Sequence, residues 1–114
     1  RLDPPAQRHF LGHSAKILCL AYCEANGLCA SGQKSRKGVE AFVCIWSPRD
    51  CGLRSVLLCD TAMFYAVGFS PAGTEVFTYS GSERDGHSMA VWRHFVTSLI
   101  PKHDERGSLP TVSR

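Results

Sequence analysis

Apolar residues in this chain gather in short runs, and between the runs lie stretches rich in Gly, Pro, Ser and charged residues. The runs at 17–22, 28–32, 42–46, 56–59, 64–69, 76–81 and 89–92 carry the Val, Ile, Phe, Tyr and Trp that suit a pleated strand, and none is long enough for an ordinary helix. Turn signals separate them at Asn26-Gly27, Pro48-Arg49-Asp50-Cys51-Gly52 and Pro71-Ala72-Gly73. A further strand is expected at 7–11, as the outer strand of a module lying upstream. Gly12-His13 then turns the chain into an inner strand that begins near Lys16. The pattern predicts an all-β chain with no helix of consequence.

The runs also repeat. Trp46 closes one and Trp92 another, and the pieces leading up to them correspond in order. Tyr22 to Phe69, Ser31 to Ser80 and Trp46 to Trp92 are 47, 49 and 46 residues apart, so only turn lengths vary. A period of about 40 to 45 residues with four strand-like runs per unit is the signature of a propeller blade. The expected fold is therefore two consecutive four-stranded antiparallel blades that form part of a larger β-propeller. Residues 1–6 read as a linker and 7–53 as the first blade with its preceding outer strand. Residues 54–95 read as the closing strand of that blade and the second blade, and 96–114 as a polar tail. In the tail a strand is expected no further than Ile100, with a mobile end after it, because Pro101, Gly107 and Pro110 interrupt a polar segment.

Composition refines this picture. With 44% hydrophobic and 20% charged residues among 114, the chain has the make-up of a globular domain, which argues against disorder. Two blades are too few for closure, since propellers have about four to eight. The chain is thus expected to be a piece of a longer protein that needs the rest of its own propeller. Alone, its uncovered faces should make it aggregate or self-associate. No run approaches the roughly 18 apolar residues of a membrane helix, and no N-terminal signal pattern is present, so no membrane partner is expected.

Six cysteines, Cys19, Cys23, Cys29, Cys44, Cys51 and Cys59, raise the question of disulfides or zinc. Cys19, Cys29 and Cys44 lie inside apolar runs, where a free thiol packs as a small hydrophobe, and no CxxC spacing is present to chelate zinc. Core thiols and a reducing compartment are expected, with no metal and no cofactor. The net charge of +3 is modest, and only Gln33-Lys34-Ser35-Arg36-Lys37-Gly38 concentrates cations. Lys34, Arg36 and Lys37 are either a solvated loop or a partner-binding loop on one rim. Nucleic acid would call for a denser basic stripe with interleaved aromatics, so it is not an expected partner. His9, His13, His87, His94 and His103 could serve as bases and Ser31, Ser80 or Cys23 as nucleophiles. No nucleophile elbow, phosphate-binding glycine loop or metalloprotease helix accompanies them, and no enzymatic activity is expected. The acidic oxygens of 81–86 read as a hairpin turn rather than a calcium site.

Gly12-His13 before a strand, then Ala30-Ser31-Gly32, then Val43-Cys44-Ile45-Trp46, together resemble a WD-repeat blade. That resemblance implies a structural hydrogen-bond network running from His13 through Ser31 to the Trp46 indole, with Trp92 as the corresponding residue of the second unit. Such a network is usually completed by an Asp before the third strand. Glu40 stands near that place in the first unit and a displaced Asp85 in the second, and no Gly-His precedes Phe64. Trp46-Ser47 and Trp92-Arg93 replace the Trp-Asp dipeptide, so apolar burial is expected to outweigh the polar network in both blades.

The block Gln7-Arg8-His9-Phe10-Leu11-Gly12-His13, followed by Ile17-Leu18-Cys19-Leu20-Ala21 and Ala30-Ser31-Gly32-Gln33 opening a long loop, is similar to the echinoderm microtubule-associated protein-like family just after its HELP motif. The segment 82–92 resembles that family's following blade, and the likeness covers roughly 7–95. It implies a non-enzymatic scaffold associated with tubulin or microtubules, located in the cytoplasm on the cytoskeleton. A generic WD-repeat adaptor for a ciliary or ubiquitin-ligase complex is the alternative.

Overall fold

The computed structural model describes residues 6–59 and 61–93 in full, together with the backbone of residues 112–113. The described residues contain no helix. They form β1 (Ile17–Cys23), β2 (Leu28–Gln33), β3 (Phe42–Ser47), β4 (Gly52–Leu58), β5 (Met63–Phe69), β6 (Glu75–Ser82), β7 (Gly86–Arg93) and the two-residue β8 (Val112–Ser113). Two antiparallel four-stranded sheets result, ordered β1-β2-β3-β4 and β5-β6-β7-β8, each strand pairing with its neighbour in sequence. This is the architecture of two adjacent propeller blades.

The repeat is more regular in space than in sequence. Tyr22 pairs with Cys29 in the first sheet and Phe69 with Val76 in the second, and each partner lies 47 positions on. One residue is squeezed out of register in β1, between Ile17 and Cys19, and one in β5, between Phe64 and Ala66; these are Leu18 and Tyr65, again 47 apart. The bulge is therefore part of the module. It adds local twist and re-aims the strand that carries it.

A single core lies between the sheets. Leu28, Ala30, Val43, Ile45 and Leu57 from the first meet Phe64, Val76, Ala90 and Trp92 from the second. Alternation explains the assignment. Along β6, Val76, Thr78 and Ser80 are buried while Phe77 and Tyr79 are exposed, as a period of two requires when one face is covered. By contrast, every residue of β2 is buried, so both of its faces are covered. The approach is close at Gly32, where a Cβ would fall 2.7 Å from Cys19 Sγ of its own sheet and 3.0 Å from Phe64 Cβ of the other. Only glycine lets the second sheet come this near.

Several expectations change. No strand forms at Gln7 to Leu11, which run as irregular backbone, since no described strand lies beside them to form a ladder. They instead lie on the first sheet: Phe10 stacks on Trp46 with ring centroids 4.6 Å apart, and the Arg8 guanidinium donates to Pro48 O. β4 starts at Gly52 and β7 at Gly86, earlier than the apolar runs suggested, because polar residues such as Ser88 and His87 still complete ladder pairs with Ser80 and Gly81. The strand expected up to Ile100 falls outside the described residues. Beyond it, Val112 and Ser113 pair with Trp92 and Val91, a strand the polar tail had not announced. β7 offers an edge of unpaired backbone groups, and any extended segment can join one.

Candidate functional site: a histidine-centred network and a basic rim

The site begins with strand register. Trp46 on β3 lies opposite Cys29 on β2, so the residue two further along β2, Ser31, faces the same side on the diagonal. The Trp46 Nε1–H donates to Ser31 Oγ at 3.0 Å, and His13 Nε2 lies 2.6 Å from the same oxygen. His13 Nδ1 lies 2.9 Å from Gln33 Oε1, which also accepts the Ser14 N–H at 3.0 Å. An amide oxygen can only accept, so Nδ1 carries the proton and Nε2 accepts the Ser31 hydroxyl. The chain of bonds then runs one way: Trp46 to Ser31 to His13 to Gln33. The Gln33 amide donates onward to Glu40 O at 3.1 Å, so the run ends on backbone. Phe42 stacks on the imidazole, ring centroids 5.6 Å apart, and fixes its plane.

The fourth member of this network is Gln33, which sequence reading passed over. Glu40 contributes its carbonyl, and its carboxylate is exposed. Gln33 is wholly buried and has partners for both ends of its amide. A neutral amide here removes the cost of burying a carboxylate, while still holding the histidine tautomer. The signal was present in β2 itself, because a polar residue continuing a buried strand needs a partner.

Trp92 lies apart from this cluster, in the second sheet, and donates to Thr78 Oγ1 at 2.8 Å in a fully buried bond. Trp92 faces Val76 across the ladder as Trp46 faces Cys29, so Thr78 is the counterpart of Ser31. Aligning Ser31 with Ser80 was therefore two residues out; Ser80 occupies the place of Gln33. Ser-Gly in both sequences invited the mistake, whereas ladder register sets the correspondence.

Lys34, Arg36 and Lys37 share one rim of the first sheet. Arg36 and Val39 exchange two backbone bonds of 2.9 and 2.7 Å, which makes Lys37-Gly38 the tip of a two-residue turn with Gly38 at φ 78°. A positive φ there suits glycine. Arg36 and Lys37 are exposed and Lys34 half-buried.

Burial pushes the Cys44 thiol up to about 12 and raises Cys19 and Cys29 as well. Cys44 is fully buried and these groups are protonated thiols at neutral pH. Among the described residues no group of three His, Cys, Asp or Glu side chains is placed to hold a metal. No described helix is long and apolar enough to cross a membrane.

No protein-family model matches the chain. Over 92 residues it is 30% identical to cilia- and flagella-associated protein 52 of Chlamydomonas reinhardtii, a match that covers 81% of this chain and 15% of that protein. The likeness and the sheets agree on WD-repeat-type blades. The comparison supports that coarser assignment without singling out the echinoderm microtubule-associated protein-like type.

Proposed function

We propose that this chain is the blade-bearing part of a non-enzymatic WD-repeat scaffold that associates with tubulin or microtubules, in the cytoplasm on the cytoskeleton. The observation that carries the non-enzymatic reading is the state of the His13–Ser31 pair. Such a pair could be a base and its nucleophile, but the Ser31 hydroxyl is buried, gives its proton to His13 and accepts the Trp46 indole. A substrate carbonyl has no route to it. The residues best placed for chemistry thus hold the fold together.

The microtubule part of the proposal draws on the family resemblance and on a relative whose name places it with cilia and flagella. Co-sedimentation of the protein with stabilised microtubules tests it. Salt-sensitive pelleting is expected, and absence of pelleting at low salt would remove the proposal. The second reading, an adaptor within another ciliary complex, is favoured by the same relative's name. It predicts retention in a ciliary protein assembly without direct affinity for microtubules.

A further inference from the structure

We infer that the rim of the first sheet is a preformed site for an acidic peptide segment, built from Lys16, Lys34, Arg36 and Lys37. The inference rests on the scaffold reading and names the chemistry of the partner it would hold.

The rim is built rather than loose. Lys34 N–H donates to Lys16 O at 2.9 Å, which continues the β1–β2 ladder by one step and sets these lysines side by side. Ser35 N–H donates to Ala62 O at 2.7 Å and so ties the loop to the segment leading into the second sheet. Arg36 Nη1 reaches Ser14 O at 3.4 Å, which orients the guanidinium, and its other donors have no partner among the described residues. The Arg36–Val39 turn and the Gln33 bond to Glu40 O hold the far side. A solvated loop with no role needs none of these anchors. A loop fixed before binding loses little further entropy when a partner arrives.

Among the described residues no carboxylate pairs with any of these four cations, whereas Arg54 and Arg93 are paired with Asp50 and Glu75 elsewhere. The basic group is also bounded. Glu40 flanks it, and the corresponding turn of the second sheet is mixed, with Arg84 between Glu83 and Asp85. Four cations in so short a span fit a short run of Asp or Glu. They suit a long polyanion poorly, and no exposed aromatic stands among them for a base to stack on. Lys16 joins the set only through the fold, since 17 residues of sequence separate it from Lys34 before the ladder sets them together.

The test is fluorescence anisotropy of a labelled hexaglutamate peptide with the full chain, at low and high salt. The double variant Lys34→Ala/Lys37→Ala removes two charges without touching the Arg36 anchor. Arg49→Glu, on the opposite rim, makes the same change in net charge. We expect the double variant to bind about tenfold more weakly at low salt, Arg49→Glu to bind as the parent does, and the difference to shrink as salt rises. Equal weakening by both variants would show attraction to net charge alone and overturn the site. An oligonucleotide of matched charge binding as tightly as the peptide, with the same dependence on Lys34 and Lys37, would overturn the peptide assignment. Peptide binding at the rim without microtubule pelleting would discard the microtubule proposal and keep the site. Pelleting unaffected by the double variant, with no peptide binding, would do the reverse. Unchanged thermal midpoints would certify that both variants fold.

Discussion

The two sheets share a register and differ in what covers them. β2 is buried on both faces, whereas its counterpart β6 is buried on one. In the first sheet the face toward its neighbour carries Leu28, Ala30 and Gly32, and small residues allow close contact. The same positions of the second sheet, 47 further on, carry Glu75, Phe77 and Tyr79, with Phe77 37% and Tyr79 39% exposed. Tyr65, Tyr79 and His87 pack there into a ring cluster, with centroids 5.3 to 5.6 Å apart. One backbone plan thus supports two surfaces. Where a neighbour presses close the side chains shrink, and where none is present among the described residues large apolar groups stand in solvent.

Polar bonding differs in parallel. The first sheet uses a four-residue network whose tryptophan is half-buried under Phe10. The second reduces it to Trp92 and Thr78, and Trp92 is fully buried against the first sheet. A tryptophan sealed by a neighbouring sheet needs one partner for its N–H. A tryptophan near the surface is held by a chain of bonds that water would otherwise contest.

The sharpest way to break this comparison is to truncate each tryptophan. Trp92→Ala empties the shared core and should cost about 3–5 kcal/mol, and Trp46→Ala clearly less, as read by urea unfolding. Equal losses would contradict the contrast in burial. Next in size is Thr78→Val, which leaves the buried Trp92 N–H without an acceptor at a cost of about 1–3 kcal/mol. His13→Ala should cost a comparable or smaller amount, because His13 itself is only half-buried and the space it leaves can admit water to Ser31 and Gln33. A smaller effect, about 1 kcal/mol, is expected for Asn26→Ala. Asn26 sits in the β1–β2 turn, donates to Gly73 O in the β5–β6 turn at 3.0 Å, and so clips the sheets at the rim away from His13.

The thiols add a dependence on pH. Burial raises the Cys44 thiol in the folded chain to about 12 from the ordinary thiol value of 9.0. Its contribution is complete below the unfolded value and is lost as pH rises from about 9 through about 12, because the unfolded chain releases that proton first. Cys44→Ala should flatten that alkaline decline in a series of urea titrations, and an unchanged slope would assign it to other groups.

Most of the fold was legible from the alternation of apolar runs and from their repetition. Strands β1, β2, β3, β5 and β6 lie within a residue or two of the runs that announced them. The starts of β4 and β7 were hidden, since polar residues there complete ladders without packing in a core. At the site, the resemblance to a WD-repeat blade pointed to His13, Ser31 and Trp46, which hydrogen bonds join. Gln33 and Thr78 escaped because their roles follow from which residues face each other across β2–β3 and β6–β7, while the Ser-Gly pair of each unit pointed to a different alignment. The segment at 7–11 looked like a strand because its composition allows one, but a strand requires a neighbour.

Amide hydrogen exchange on Trp92→Ala tests the central claim most directly, namely that the sheets are two modules sharing one core. Ala30 and Cys44 in the first sheet are expected to lose protection along with Val76 and Ala90 in the second, by similar free energies. Loss confined to the second sheet, with Ala30 and Cys44 as protected as before, would contradict it.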